Sequence, residues 1–183
     1  MIMGGIPYYL RLLDSRKTYQ LSDYYTIFYF RFIRGNGGKD EHLWSNTNDN
    51  PARRAWAGLT FEQVCRDHMG QIKKKLGISG VMTEISYWLK KGTQEDAGAQ
   101  IDILIDRRDR VINLCEIKFA TQQYEIDKDY DMSLKNKVNV FREATKTTKT
   151  LVMTMITTYG VKRNMYSNYI GREVCMDDLF EEI

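Results

Sequence analysis

"QIDILIDRRDRVINLCEIKF", residues 100–119, decides the fold. Its first part, "QIDILIDR" (100–107), alternates cleanly, and "RVINLCEIKF" (110–119) is apolar and β-branched, so both read as strands. The polar run "DRRDR" (106–110) is the turn that joins them into a hairpin. Alternate residues of a strand share a face. Ile101, Ile103 and Ile105 are therefore expected on one face, and Asp102 with Leu104 on the other. Glu116 and Lys118 share a face with Ile112 and Leu114. A turn centred on residue 109 sets Asp102 opposite Glu116, with Cβ atoms ~5 Å apart. A slip of one residue would undo that pairing.

Two carboxylates set opposite each other are destabilising. Burial adds to the cost or keeps one of them protonated. A divalent cation removes the conflict, because Mg²⁺ and similar hard ions take carboxylate oxygens as ligands. Lys118 follows on the same face, ~7 Å along the strand. There it can hold an attacking water or stabilise charge on a phosphate. The plain alternative is a salt-bridge ladder of Asp102, Glu116 and Lys118 on a solvated sheet face. Against the ladder, Asp102 lies between isoleucines on a strand that otherwise reads as core.

The rest of the chain supplies the frame. With 183 residues, 43% hydrophobic and 28% charged, it is long enough for one ordinary domain with a sizeable core. Its apolar runs are short and broken by charge, so no membrane span is expected. The start, "MIMGGIPYYL", lacks the pattern of a signal peptide. Three widely spaced cysteines, Cys65, Cys115 and Cys175, then read as reduced thiols in a cytoplasmic protein. Two histidines, His42 and His68, are too few for a His-rich metal centre. A net charge of +3 permits nucleic-acid binding without arguing for it.

Along the chain, "LSDYYTIFYFRFI" (21–33) is densely aromatic and long enough for a buried helix, and 34–51 is a Gly/Asn/Asp-rich loop. Phe61, Val64, Cys65, His68 and Ile72 recur at helical spacing, predicting a helix over 58–76, capped by Thr60 and ended by Gly77. Glu62 lies at the edge of that stripe, from which it can point back toward the strand pair. An ordinary solvated Glu is the alternative. Residues 79–90 read as a strand, 125–146 as a helix, 150–160 as a strand, and the tail as a short strand with a helical turn. The order from residue 58 is αβββαβ: an α/β fold with a mixed central sheet flanked by helices.

That order, with Asp102 in "QID" and Glu116 and Lys118 in "EIK", resembles the PD-(D/E)XK (restriction-endonuclease-like) nuclease superfamily, although no Pro precedes Asp102. A wider set of stretches, among them "MGGIPYYL", "LSDYYTIFYFRF", "AWAGLTFEQVC", "LKNKVNVF" and "TTYG", looks like the C-terminal part of a family of prokaryotic AAA-type ATPases. Those proteins end in a nuclease-like domain of this superfamily. The resemblance implies that 1–50 is a remnant of the ATPase lid, winged-helix region and linker, and that 51–183 is the nuclease-like domain. Most of the winged-helix region is missing by this comparison, and no GxxxxGK(S/T) loop occurs, so no ATP binding by this chain is expected.

The resemblance further implies Mg²⁺- or Mn²⁺-dependent hydrolysis of DNA phosphodiester bonds. Asp102, Glu116 and the Ile117 carbonyl would hold the metal, Lys118 would position the water, and Glu62 would assist. Gln100 and Gln122 are candidate phosphate contacts, and Lys135, Lys137 and Arg142 on the second helix are candidate DNA contacts. Lys73, Lys74 and Lys75 read as a solvated helix face. Tyr124 and Tyr130 are the candidates to stack on a base, with Tyr130 better placed in the core. The competing expectation is a non-catalytic DNA-binding or protein-interaction module that keeps the fold. An RNA-binding surface on 24–32 fits less well, since its aromatics are too continuous; they point to core or to self-association through residues 1–33.

Overall fold

The computed structural model describes residues 23–35, 42, 45, 50–92 and 98–183. The readings made on 1–22 and on most of the 34–51 loop lie outside them. The chain divides into two compact units, Met1–Asn46 and Thr47–Ile183.

In the first unit, helix α1 (Tyr24–Phe28) runs on as a π-helical turn, Tyr29–Ile33. Asp23 caps it by accepting the Thr26 N–H. The expectation of a buried helix is corrected here: none of residues 24–33 is buried, and Tyr25 is 71% exposed.

The second unit runs α2 (Pro51–Asp67), α3 (Met69–Lys75), β1 (Thr83–Lys90), β2 (Ala99–Arg107), β3 (Val111–Lys118), α4 (Lys128–Thr145), β4 (Thr150–Thr157) and β5 (Arg172–Cys175). The five strands form one mixed sheet in the order β1-β2-β3-β4-β5. The pairs β1–β2 and β2–β3 are antiparallel, while β3–β4 and β4–β5 are parallel. On one face Phe61, Cys65 and Ile72 of α2 and α3 pack on Ile103, Ile105, Cys115 and Ile117. On the other, Leu134, Val138 and Phe141 of α4 pack on Leu104, Ile112, Leu114 and Met155. Among the described residues no helix is long and apolar enough to cross a membrane.

The expected helix start near residue 58 is corrected to Pro51. Asn50 accepts the Ala52 N–H at 2.8 Å, and Pro51 takes the first helical position, where its missing N–H costs nothing. Apart from Trp56, residues 51–58 carry short or charged side chains, so no apolar stripe announces them. The single helix expected over 58–76 is broken at His68 (φ −109°, ψ 33°) into α2 and α3. Gly77 ends α3 with φ +70°, a left-handed conformation that favours glycine. At the start of α4 the Asp127 carboxylate accepts the Tyr130 N–H at 2.8 Å, a cap that contributes about 1 kcal/mol.

Over residues 103–106 the hairpin register is the expected one: Ile103 pairs with Cys115, Leu104 with Leu114 and Ile105 with Asn113. The expected pairing of Asp102 with Glu116 is corrected, since the ladder stops one residue short of it. Arg110 closes the short turn at φ 67°, the left-handed residue that ends a three-residue hairpin loop. One expectation on β2 is corrected. Ile101 does not share a face with Ile103 and Ile105; it packs on the α4 side. The reason is a β-bulge. Ser86 pairs with Leu104 but Trp88 with Ile101, so Tyr87 faces both Asp102 and Ile103. The extra residue turns the strand over at Asp102.

Candidate functional site

The bulge is what aims Asp102. Its carboxylate lies between β2 and β3, where Oδ2 accepts the Ile117 N–H at 3.0 Å. The last strand pair in the hairpin is Ile103 with Cys115, so this side-chain bond takes the place of the next rung. Within a strand residue N–H and C=O point to the same edge, so the Ile117 carbonyl also faces Asp102. Gln100, exposed, donates from Nε2 to Asp102 Oδ1 at 3.3 Å.

Glu116 is 2% exposed and Asp102 8%. Three donors surround Glu116. Lys118 Nζ is 3.0 Å from Oε1, the Tyr130 hydroxyl donates to Oε1 at 2.8 Å, and Lys137 Nζ donates to Oε2 at 2.5 Å. Lys118 also stands over the Tyr130 ring, 5.5 Å from its centroid. Glu62 on α2 pairs with Arg66 at 3.1 Å and is partly buried.

The charges act on each other across the sheet. Burial raises the Asp102 carboxyl pKa, and the charge of Glu116 raises it further, against the Ile117 N–H and the two lysines. Burial also raises Glu62, with Asp102 adding to it and Arg66 opposing. For Glu116, burial alone would push the pKa up, but Lys137 and Lys118 outweigh it and hold the carboxyl below its usual range. Burial opposes the charge on Lys118, yet Glu116 overrides it and raises the lysine. The like-charge conflict thus falls on Asp102, while the two ammonium groups satisfy Glu116.

These shifts fix the pH dependence of stability. Glu116, depressed in the fold, contributes stability above the unfolded carboxylate range that is lost as pH falls through its lowered folded pKa. Asp102 and Glu62, raised in the fold, act in the opposite sense and favour the folded state once protonated. The urea midpoint is therefore expected to rise slightly from neutral to mildly acidic pH and then fall steeply. In Glu116→Gln the steep acid limb should flatten.

The structure brings Asp102, Glu116, Lys118, Glu62 and the Ile117 backbone together. Lys137, expected to contact DNA, instead turns inward to Glu116. Lys135 pairs with Asp131 at 2.5 Å and stands 5.5 Å from the Tyr169 ring centre. Arg142 is exposed, and its charge, like that of Lys135, acts on Tyr169. Gln122 lines a separate open groove of about 310 Å³ with Arg54, Phe119 and Tyr124. Tyr130 is held by Glu116 and by Tyr124, ring centres 5.4 Å apart, and is not free to stack on a base.

Sequence reasoning missed the roles of Tyr130 and Lys137 as partners of Glu116. The signal was present, since the two sit seven residues apart on the apolar stripe of α4, where a lysine needs a buried anion. It also missed Thr157. This residue pairs with Lys118 in register, and its hydroxyl is buried with no hydrogen-bond partner among the described residues. Among the described residues no group of three or more His, Cys, Asp or Glu stands at metal-ligand spacing. Two carboxylates, a carbonyl edge and an unsatisfied hydroxyl are nonetheless the donor chemistry that a hard cation and its waters take. Glu116 can join that set only if Lys137 yields it.

A family model described as archaea bacterial proteins of unknown function, DUF234, matches residues 29–129, a stretch that holds Glu62, Asp102, Glu116 and Lys118. No curated protein matches the chain. A solved structure described as a protein of unknown function, AF1548, is similar at 14% identity over 63% of this chain, with a TM-score of 0.43. The chain spans 64% of that protein, less than two thirds of its length.

Proposed function

We propose that this chain, which belongs to the DUF234 family of archaeal and bacterial proteins, is a divalent-metal-dependent phosphodiesterase acting on DNA, built on a restriction-endonuclease-like αβββαβ core. The observation that carries the reading is the buried Asp102–Glu116 pair at the end of the hairpin, with Lys118 within 3.0 Å of Glu116. Asp102, Glu116 and the Ile117 carbonyl are the groups that would hold Mg²⁺ or Mn²⁺. A bound cation would supply Lewis-acid stabilisation of the negative charge that develops on the phosphoryl oxygens.

The chain's own groups do the rest. Lys118 orients the attacking water by donating to its oxygen. Glu62, its pKa raised by burial and by Asp102, is suited to receive a proton. The Thr157 hydroxyl offers a further hydrogen bond beside Lys118. In the net reaction, water forms the new P–O bond, the bond to the leaving sugar oxygen breaks, and the proton passes to that oxygen. Lys135 and Arg142, and separately Arg54 with Gln122, are the candidate phosphate contacts.

One observation favours a second reading, a DNA-binding or protein-interaction module without catalysis: Lys137 and Lys118 already neutralise Glu116. Incubation with supercoiled plasmid and Mn²⁺ separates the two. Nicking that EDTA abolishes, and that Lys118→Met lowers by roughly 10²–10³-fold, is expected for the phosphodiesterase. DNA retention without nicking would favour the module, and nicking indifferent to EDTA would exclude the metal reading.

A further inference from the structure

The outer edge of the sheet carries a self-complementary strand. Among the described residues β1 is the terminal strand, eight residues long, with one edge paired to β2. Its side chains Ile85, Tyr87 and Leu89 alternate, so they share a face, and they are 47%, 74% and 53% exposed. Long apolar edge strands invite pairing with another chain, and proteins usually blunt them. The opposite edge is blunted: β5 has four residues and begins with the exposed Arg172. In β1 no charge and no proline stands between Glu84 and Lys90. Nor is β1 loosely held, since Trp88, on its other face, packs edge-on against Phe141 with ring centres 5.0 Å apart.

We propose that β1 is a dimerisation edge, on which a second copy of this chain pairs its own β1 antiparallel about a twofold axis through Tyr87. The charge pattern selects that occupant and that register. Antiparallel pairing centred on Tyr87 sets Glu84 opposite the partner's Lys90, Ile85 opposite the partner's Leu89, and Tyr87 opposite the partner's Tyr87. The Glu84–Lys90 and Ile85–Leu89 contacts each occur twice and the Tyr87–Tyr87 contact once, on the axis, as an isologous interface requires. Residues directly opposed lie on one face, so the exposed apolar row meets its own copy, and the two charge pairs lie at the strand ends on the Trp88 face. Glu84 lies 3.6 Å from Arg108, with both side chains mostly exposed, and that weak pair leaves the carboxylate accessible. This inference is independent of the phosphodiesterase reading.

Sedimentation velocity on the full chain across a concentration series tests it. The expected result is a reversible dimer. Tyr87→Lys sets two ammonium groups against each other at the axis and should give a monomer. Glu84→Lys and Lys90→Glu should each weaken the dimer by roughly tenfold, by turning two attractive pairs repulsive. The double variant E84K/K90E should restore most of the affinity. That recovery keeps the test valid even if Tyr87→Lys does not fold. A monomeric wild-type chain overturns the proposal, as does a dimer indifferent to all four variants or charge reversals with no rescue.

Discussion

Asp102→Asn is expected to abolish metal-dependent cleavage, on the order of 10³-fold or more, while leaving the fold as stable as before or slightly more so. Asparagine keeps the shape and keeps an oxygen to accept the Ile117 N–H. It removes the negative charge that Glu116 and burial both oppose. A carboxylate with a raised folded pKa works against the folded state at neutral pH, so losing that charge relieves strain rather than adding it. On the proposed reading, the activity loss follows from removing a ligand whose cation would supply several kcal/mol of charge stabilisation. The two effects are read together in thermal melts. In EDTA the midpoint of Asp102→Asn should equal or exceed that of wild type, whereas Mn²⁺ should raise only the wild-type midpoint. A variant that melts lower in EDTA would mean that Asp102 is a structural partner of the Ile117 amide and little else.

Glu116→Ala should have the largest effect on stability, roughly 3–5 kcal/mol. The carboxylate is almost fully buried and receives Lys118, Lys137 and the Tyr130 hydroxyl. Its removal leaves Lys137, whose side chain is only 18% exposed, beside the core without its counter-charge. Glu116→Gln should cost less, because the amide oxygen can still accept from Tyr130. In a double-mutant cycle, Lys137→Met added to Glu116→Ala should recover part of the loss, because it removes the stranded charge. Additive losses in that cycle, measured by urea denaturation, would show that Lys137 is not held by Glu116.

Much of this unit was legible because its signals are local. The turn "DRRDR" placed the hairpin register, and β2, β3, α4 and β4 follow from alternation and from the 3.6-residue stripe. The start of α2 was not legible from periodicity, because "PARRAWAG" has no apolar stripe. The pair Asn50–Pro51 was the readable mark. The bulge at Asp102 left no trace in the sequence, since it arises from a one-residue mismatch between two strands and involves neither glycine nor proline. Spacing placed Asp102 near Glu116, but Asp102 is not its direct partner: the ladder ends at Ile103–Cys115, and Asp102 bonds the Ile117 N–H instead. How Glu116 is satisfied was not legible, because that depends on α4 returning across the sheet to deliver Tyr130 and Lys137. The aromatic segment 24–33 misled in a different way. Its hydrophobicity predicted burial, but none of residues 24–33 is buried.

The central claim is that Asp102 and Glu116 form one cation site, with Lys137 standing in for the ion on Glu116. Anomalous diffraction from crystals grown with Mn²⁺ tests it most directly. The account predicts a manganese peak bounded by the Asp102 and Glu116 carboxylates and the Ile117 carbonyl, with Lys137 withdrawn from Glu116. A map with no peak there, and with Lys137 still seated on Glu116, would contradict it.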